Sequence, residues 1–178
     1  AGTCTGLGVA PSAIGEVLGI FKAYCTRVGS GPFPSELTDN IGDMLRNEGH
    51  EFGSTTGRPR RCGWIDLVAL KYSIMLNGVT QLVMTKADVL DAFDKIKVAT
   101  AYKIGDQVID YFPYSIEDNV QPVYSELPGW NTSLVDIRNV EDFPSQFRNY
   151  VDFLEKELEI PVTYVSVGPD REQIIKLK

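Results

Sequence analysis

Between positions 53 and 63 the chain reads GSTTGRPRRCG, with Thr55, Thr56, Arg58, Arg60 and Arg61 crowded together and no apolar period. A guanidinium is a planar fork that grips a carboxylate or phosphate through two parallel hydrogen bonds. Pro59 pushes Arg58 toward extended backbone. In an extended segment residues two apart project to the same side, which would send Arg58 and Arg60 toward one ligand. The chemistry that follows is recognition of a small dianion or of two neighbouring anions, with the threonines adding donors. The competing reading is a solvated basic loop. A second segment, Thr85-Lys86-Ala87-Asp88, follows a short apolar run. A carboxylate there can accept from both the ring N–H and the exocyclic amine of guanine, with the lysine stem over the base. Adenine has no matching pair of donors and would leave Asp88 unpaired. Here the competing reading is a helix start, with Asp88 as N-cap before Val89 and Leu90. At Ser166-Val167-Gly168 a strand gives way to a turn, where glycine allows close backbone approach to a flat ligand; a plain turn is the alternative. His50, the only histidine, follows Gly49 at a predicted helix end and reads as structural.

The elements that must carry these segments follow from hydrophobic spacing. Residues 1–11 are glycine-rich and read as a loop entered from something upstream. Ile14, Val17, Leu18, Phe21, Tyr24, Cys25 and Val28 recur at helical intervals. They predict a helix opened by Ser12 and stopped by Gly29. A second helix is expected over residues 35–48, a loop over 53–63, and a helix over 64–76 closed by Asn77-Gly78. Residues 81–84 read as a buried strand delivering Thr85 to Asp88. Residues 95–104, 107–112 and 122–126 alternate and are rich in Val, Ile and Tyr, predicting antiparallel strands around a Gly105-Asp106 turn. A helix from Pro144-Ser145 should bury Phe147, Tyr150, Val151, Leu154 and Leu158. Strands over 162–167 and 172–178 complete a single domain of α+β class, residues 1–178.

Composition narrows the partners. The 178 residues are 43% hydrophobic and 23% charged with a net charge of −7. That balance argues against bulk nucleic-acid binding, which needs clustered cations, and makes a tight arginine cluster stand out. No apolar run is long enough to cross a bilayer, and the first residues lack a signal-peptide pattern. Three widely spaced cysteines, Cys4, Cys25 and Cys62, fit neither a disulfide framework nor a zinc site and suggest a cytoplasmic protein.

Taken in order, several strings resemble the adenylosuccinate synthetase family: FKAYCTRVGSGPFP at 21–34, GHEFGSTTGRPRRCGWID at 49–66, TKADVLD at 85–91, PGW at 128–130 and SVGPDR at 166–171. They span nearly the whole chain, and the two longest are highly specific. The resemblance implies the C-terminal portion of a GTP-dependent ligase that joins IMP and L-aspartate into adenylosuccinate through a 6-phosphoryl-IMP intermediate. It assigns Ser54, Thr55, Thr56, Gly57, Arg58, Pro59 and Arg60 to the loop that closes on aspartate. Val28 and Arg58 match IMP-contacting positions. Arg60, Lys86, Ala87, Asp88, Ser166, Val167 and Gly168 match GTP-contacting ones, with Lys86 and Asp88 as the guanine-recognition pair. Pro59 stands where some relatives carry another arginine, and Val167 where some carry Thr. The resemblance implies that the family's phosphate loop, catalytic aspartate and histidine, and Mg2+ ligands lie upstream of Ala1, and no G-x-x-x-x-G-K-[ST] cradle occurs in these residues. On that reading these residues hold no catalytic group and no metal ligand, the chain alone is inactive, and the parent is a homodimer. The alternative is a stand-alone module that binds a guanine nucleotide or an amino acid without catalysis.

Overall fold

The structure, a computed structural model, describes residues 2–116 and 119–178. A short helix, α1 (Gly2–Leu7), replaces the expected opening loop and buries none of its residues. The helix expected over 12–28 is instead two strands, β1 (Leu18–Lys22) and β2 (Cys25–Arg27). Tertiary pairing overrides the 3.6 period there: Leu18 to Lys22 run in parallel register with Gln81 to Thr85. Gly19, a poor helix residue, lies so close to Val79 that a Cβ would stand 2.7 Å from its Cγ1. The next helix, α2 (Asn40–Glu48), starts later than residue 35 because Asp39 caps it, accepting from the backbone N–H of Ile41 at 3.1 Å and of Gly42 at 3.2 Å. The residues before it pair elsewhere, Glu36 bridging Gly63 and Leu37 donating to the carbonyl of Cys62.

The predicted loop 53–63 ends in a strand, β3 (Arg61–Gly63), antiparallel to β2. Two residues of strand, β4 (Ile65–Asp66), precede α3 (Leu67–Asn77), which Asp66 caps through the N–H of Ala69 and Gly78 ends in left-handed geometry. The buried strand appears as β5 (Gln81–Thr85), followed by a 3-10 turn at Ala87–Leu90. The middle of the chain is antiparallel as its alternation predicts: β6 (Lys95–Ile104) pairs with both β7 (Gln107–Ile109) and β8 (Gln121–Pro128). The helix α4 (Ser145–Leu158) buries the five residues expected of it. Last come β9 (Val162–Ser166) and β10 (Ile174–Lys176), shorter than the expected 172–178 strand because Asp170 and Gln173 form a capping box over a 3-10 turn first.

These elements make an α+β fold. Its main sheet has the order β1-β5-β9-β10, with β1, β5 and β9 parallel and β10 antiparallel at one edge. Leu82 and Met84 of β5, Val162 and Val165 of β9, and Phe147, Tyr150 and Leu154 of α4 belong to the principal core. Fully burying such side chains is worth about 1.5–3 kcal/mol each. Tyr150 also reaches across the core to donate to the Ala23 carbonyl at 2.9 Å, fixing the bend between β1 and β2. Among the described residues no helix is long and apolar enough to cross a membrane.

Candidate functional site

Parallel strands present all their carboxyl ends on one side, and loops leaving those ends meet. Lys22 ends β1 in register with Thr85, which ends β5, and Met84 pairs with Val165 one residue before Ser166 ends β9. Lys22, Lys86 and Ser166 are therefore delivered to one rim of the sheet. The arginine loop arrives at the same rim by its own closure. The Gly53 N–H donates to the Arg58 carbonyl at 2.9 Å, Gly57 to Gly53 at 2.8 Å, and Phe52 bridges Pro59. Gly57 occupies φ 65° at the tip, a conformation in which a side chain is strained.

Arg58, Arg60, Ser54, Thr55, Thr56 and Pro59 line a cleft of about 570 Å3 whose opposite wall is Arg27, Val28 and Gly29. Val28 is thus brought to the loop from a strand end that helical periodicity would have placed mid-face. Gly57 is the one loop residue assigned from sequence that does not line the cleft.

The three loop arginines differ in what already holds them. Arg61 forks onto Glu36, Nε to Oε1 at 2.8 Å and an Nη to Oε2 at 2.5 Å, and also donates to the carbonyls of Gly29 and Gly31. That bidentate bond holds the Glu36 carboxyl below its usual range, and it fastens the Val28 wall to the loop. Arg60 donates one Nη to Glu51 Oε2 at 2.7 Å, while its Nε is buried and has no partner among the described residues. Arg58 is exposed, and its guanidinium makes no hydrogen bond or ion pair among the described residues.

Glu51 is the residue that sequence reasoning missed. Its side chain has 0% exposure. Its Oε1 accepts from Tyr24 at 2.6 Å, Lys22 at 2.8 Å and Lys86 at 3.2 Å, and its Oε2 from Arg60. Burial alone would push this carboxyl up. The donors from Lys22, Tyr24, Arg60 and Lys86 reverse that and hold it at about 2, the expected effect of several hydrogen bonds to the charged form. The only signal in the sequence is one acid placed just before a basic loop.

Lys86 sits at φ 58°, in the left-handed region where a non-glycine residue costs on the order of 1–3 kcal/mol and recurs at functional sites. Its Nζ turns to Glu51 and to the Gly49 carbonyl. Asp88 does not cap a helix: Lys86 holds the cap position and Asp88 lies inside the turn. The Asp88 carboxyl, raised above its usual value chiefly by burial, faces a hollow of about 350 Å3 shared with Asp91, Asn131 and Thr132. Asp91 anchors that hollow by accepting from Trp130 Nε1 and Leu134 N, each at 2.8 Å. Burial pushes Asp91 up to about 6. Ser166, Val167 and Gly168 stand at the neighbouring strand end, outside the residues that line the hollow. The close approach at Gly168 is made by the protein, since a Cβ there would lie 2.2 Å from Gln173 Oε1. His50 is exposed at the end of α2 with φ 49°.

Among the described residues no three His, Cys, Asp or Glu side chains converge so as to hold a metal ion.

The family model described as adenylosuccinate synthetase matches residues 1–175. Adenylosuccinate synthetases of Bacteroides fragilis and Bacteroides thetaiotaomicron are 63% and 62% identical to this chain over 98% and 99% of its length. Those matches cover 41% and 42% of the relatives, so the chain spans about two fifths of the length of the curated proteins it matches. A solved structure of fully ligated adenylosuccinate synthetase from Plasmodium falciparum superposes with a TM-score of 0.94 at 34% identity, covering 99% of this chain and 43% of that one. With a family model matched along nearly its whole length and relatives this similar, the chain belongs to the adenylosuccinate synthetase family.

Proposed function

We propose that this chain supplies the aspartate-gripping loop and the guanine-recognition surface of an enzyme that joins L-aspartate to IMP at the expense of GTP. The observation that supports this reading most directly is the cleft at the sheet rim, where Arg58 and Arg60 face Val28 across about 570 Å3. Among the described residues the Arg58 guanidinium is unengaged and Arg60 keeps a buried N–H without a partner. Those are donors suited to the two carboxylates of aspartate and to the anionic nucleotide beside it. Thr55 and Thr56 add hydroxyls at the same wall. The carboxylate of Asp88, in its own hollow, suits the paired donors of a guanine edge, and Lys86 and Ala87 set its position at the end of β5. Ser166, Val167 and Gly168 would flank the base from the adjacent strand end.

In the same proposal, Mg2+ is held by residues outside this segment, together with the groups that polarise the transferred phosphoryl, because phosphoryl transfer depends on positioned cations. The full-length protein acts as a homodimer in the cytoplasm. Support for a reducing compartment comes from Cys4, Cys25 and Cys62, all free thiols. A stand-alone binding module gains no specific support from the geometry.

The test is Arg60→Leu in a full-length synthetase carrying these residues. Loss of a gripping arginine should raise the aspartate KM at least about 30-fold, from ~2 kcal/mol or more of lost charge pairing. An aspartate KM within threefold of the parent enzyme's would end the assignment.

A further inference from the structure

Two recognition segments far apart in sequence share one buried carboxylate. Arg60 belongs to the loop at 53–61 and Lys86 to the turn after β5, yet both donate to Glu51, at 2.7 and 3.2 Å. Lys22 and Tyr24, from the end of β1 and the bend after it, complete the shell. Glu51 is itself held rigidly. Its N–H donates to the Arg46 carbonyl at 2.8 Å, and its carbonyl accepts the Arg60 N–H at 2.9 Å. Arg46 Nε returns to the Arg60 carbonyl at 2.9 Å. Arg60 is thus pinned to Glu51 through main chain and side chain together.

The stoichiometry matters. Three cations, Lys22, Arg60 and Lys86, converge on one carboxylate. Among the described residues Lys22, Tyr24 and Lys86 share Oε1 while Arg60 alone holds Oε2. One negative charge is delocalised over both oxygens, so a cation that leaves exposes more of that charge to the cations that stay. A ligand that draws Lys86 toward itself leaves Glu51 more fully available to Arg60, and the converse follows by linkage.

We propose that Glu51 is a positioning residue that couples the aspartate loop to the guanine segment, so that occupancy of either site orders the cation of the other. It touches neither substrate and acts through Arg60 and Lys86. The inference rests on the substrate assignments proposed for those two residues.

The experiment uses the full-length synthetase with two variants, each assayed for kcat and for the KM of aspartate and of GTP, with melting temperature measured alongside. Glu51→Gln keeps the size of the side chain and removes its charge. It should raise both KM values about tenfold or more. Tyr24→Phe removes only the hydroxyl that orients Glu51 Oε1 and keeps the buried ring. It should raise both by about threefold, and it decides the matter if the Glu51 variant does not fold. A merely structural role would lower the melting temperature and leave both KM values where they were, which overturns the proposal. A rise in one KM alone overturns it too. Arg60→Leu and Asp88→Asn, assayed beside them, report on the substrate assignments separately. If those two variants lose aspartate and GTP binding while Glu51→Gln and Tyr24→Phe do not, the coupling fails and the assignments stand.

Discussion

Replacing Arg58 with Leu separates binding from folding more sharply than any other change in the loop. Its guanidinium has no partner among the described residues and the side chain is exposed. Truncation should therefore change folding stability by no more than about 0.5 kcal/mol, or roughly 2 °C in a protein of this size. If Arg58 forks onto a substrate carboxylate in a closed site, its loss removes ~2–5 kcal/mol of binding. That corresponds to about 30- to 5,000-fold in kcat/KM for aspartate. Arg61→Leu is the informative contrast. Arg61 is committed to Glu36 and to the carbonyls of Gly29 and Gly31, but the pair is partly solvated, with side-chain exposures of 30% and 24%. Its loss should cost about 1 kcal/mol of stability after solvent screening, and should loosen the Val28 wall without removing a ligand donor. Steady-state kinetics on a full-length enzyme, with thermal melts of both variants, read these effects. The reasoning is refuted if Arg58→Leu keeps kcat/KM for aspartate within threefold while Arg61→Leu lowers it more.

Guanine selectivity should turn on Asp88. Asparagine offers one acceptor and one donor where guanine needs two acceptors, so Asp88→Asn should cost GTP on the order of 100-fold in kcat/KM, from a lost and a mismatched hydrogen bond. A xanthine nucleotide, with a carbonyl in place of the amine, should gain relative to GTP; an unchanged ratio between the two would rule out the assignment. Acid stability has two opposed contributions. Glu51 is held at about 2 against an ordinary 4.5, so its contribution is complete above pH 4.5 and disappears as pH falls through 2, by up to about 3 kcal/mol. Asp91 is raised from 3.8 to about 6, so its contribution is complete below pH 3.8 and is lost as pH rises through 6. Urea unfolding of the chain from pH 2 to 7 should show Glu51→Gln flattening the lower limb and Asp91→Asn the upper. Identical profiles for the parent chain and both variants would contradict the two environments.

How much of this was legible depended on whether neighbours in sequence or neighbours in space decided the outcome. The face of α4 was readable because Phe147, Tyr150, Val151, Leu154 and Leu158 repeat over a segment long enough for one period to prevail. Residues 18–27 misled because their apolar spacing satisfied a helix while Gly19 and the parallel partner Gln81–Thr85 selected a strand. No local pattern announces a parallel partner some sixty residues away. The candidate recognition segments were visible as strings. What each side chain does there was not, since Arg58, Arg60 and Arg61 are indistinguishable until Glu36 and Glu51 are placed beside two of them. Gly168 is the same lesson in reverse: its lack of a side chain leaves room for Gln173, a neighbour that the local string does not announce.

The charge pattern makes sense only with those acids included. A chain of net charge −7 repels anions over most of its surface, and low-dielectric walls focus whatever positive potential remains into a cleft. Counting Arg27, Arg58, Arg60 and Arg61 along the cleft wall overstates that potential, because Glu36 neutralises Arg61 and Glu51 draws on Arg60. Yet removing either acid would not simply strengthen anion binding. Glu36 holds the Val28 wall in place through Arg61, and Glu51 fixes the direction in which Arg60 points. An ion's attraction to a mobile guanidinium is offset by the entropy of ordering that side chain, as in exposed ion pairs generally. The acids lower the charge of the cleft and raise the order of the charges left in it. On the proposed assignment to aspartate, a small ligand with two carboxylates a few bonds apart, that order would decide which anion is bound.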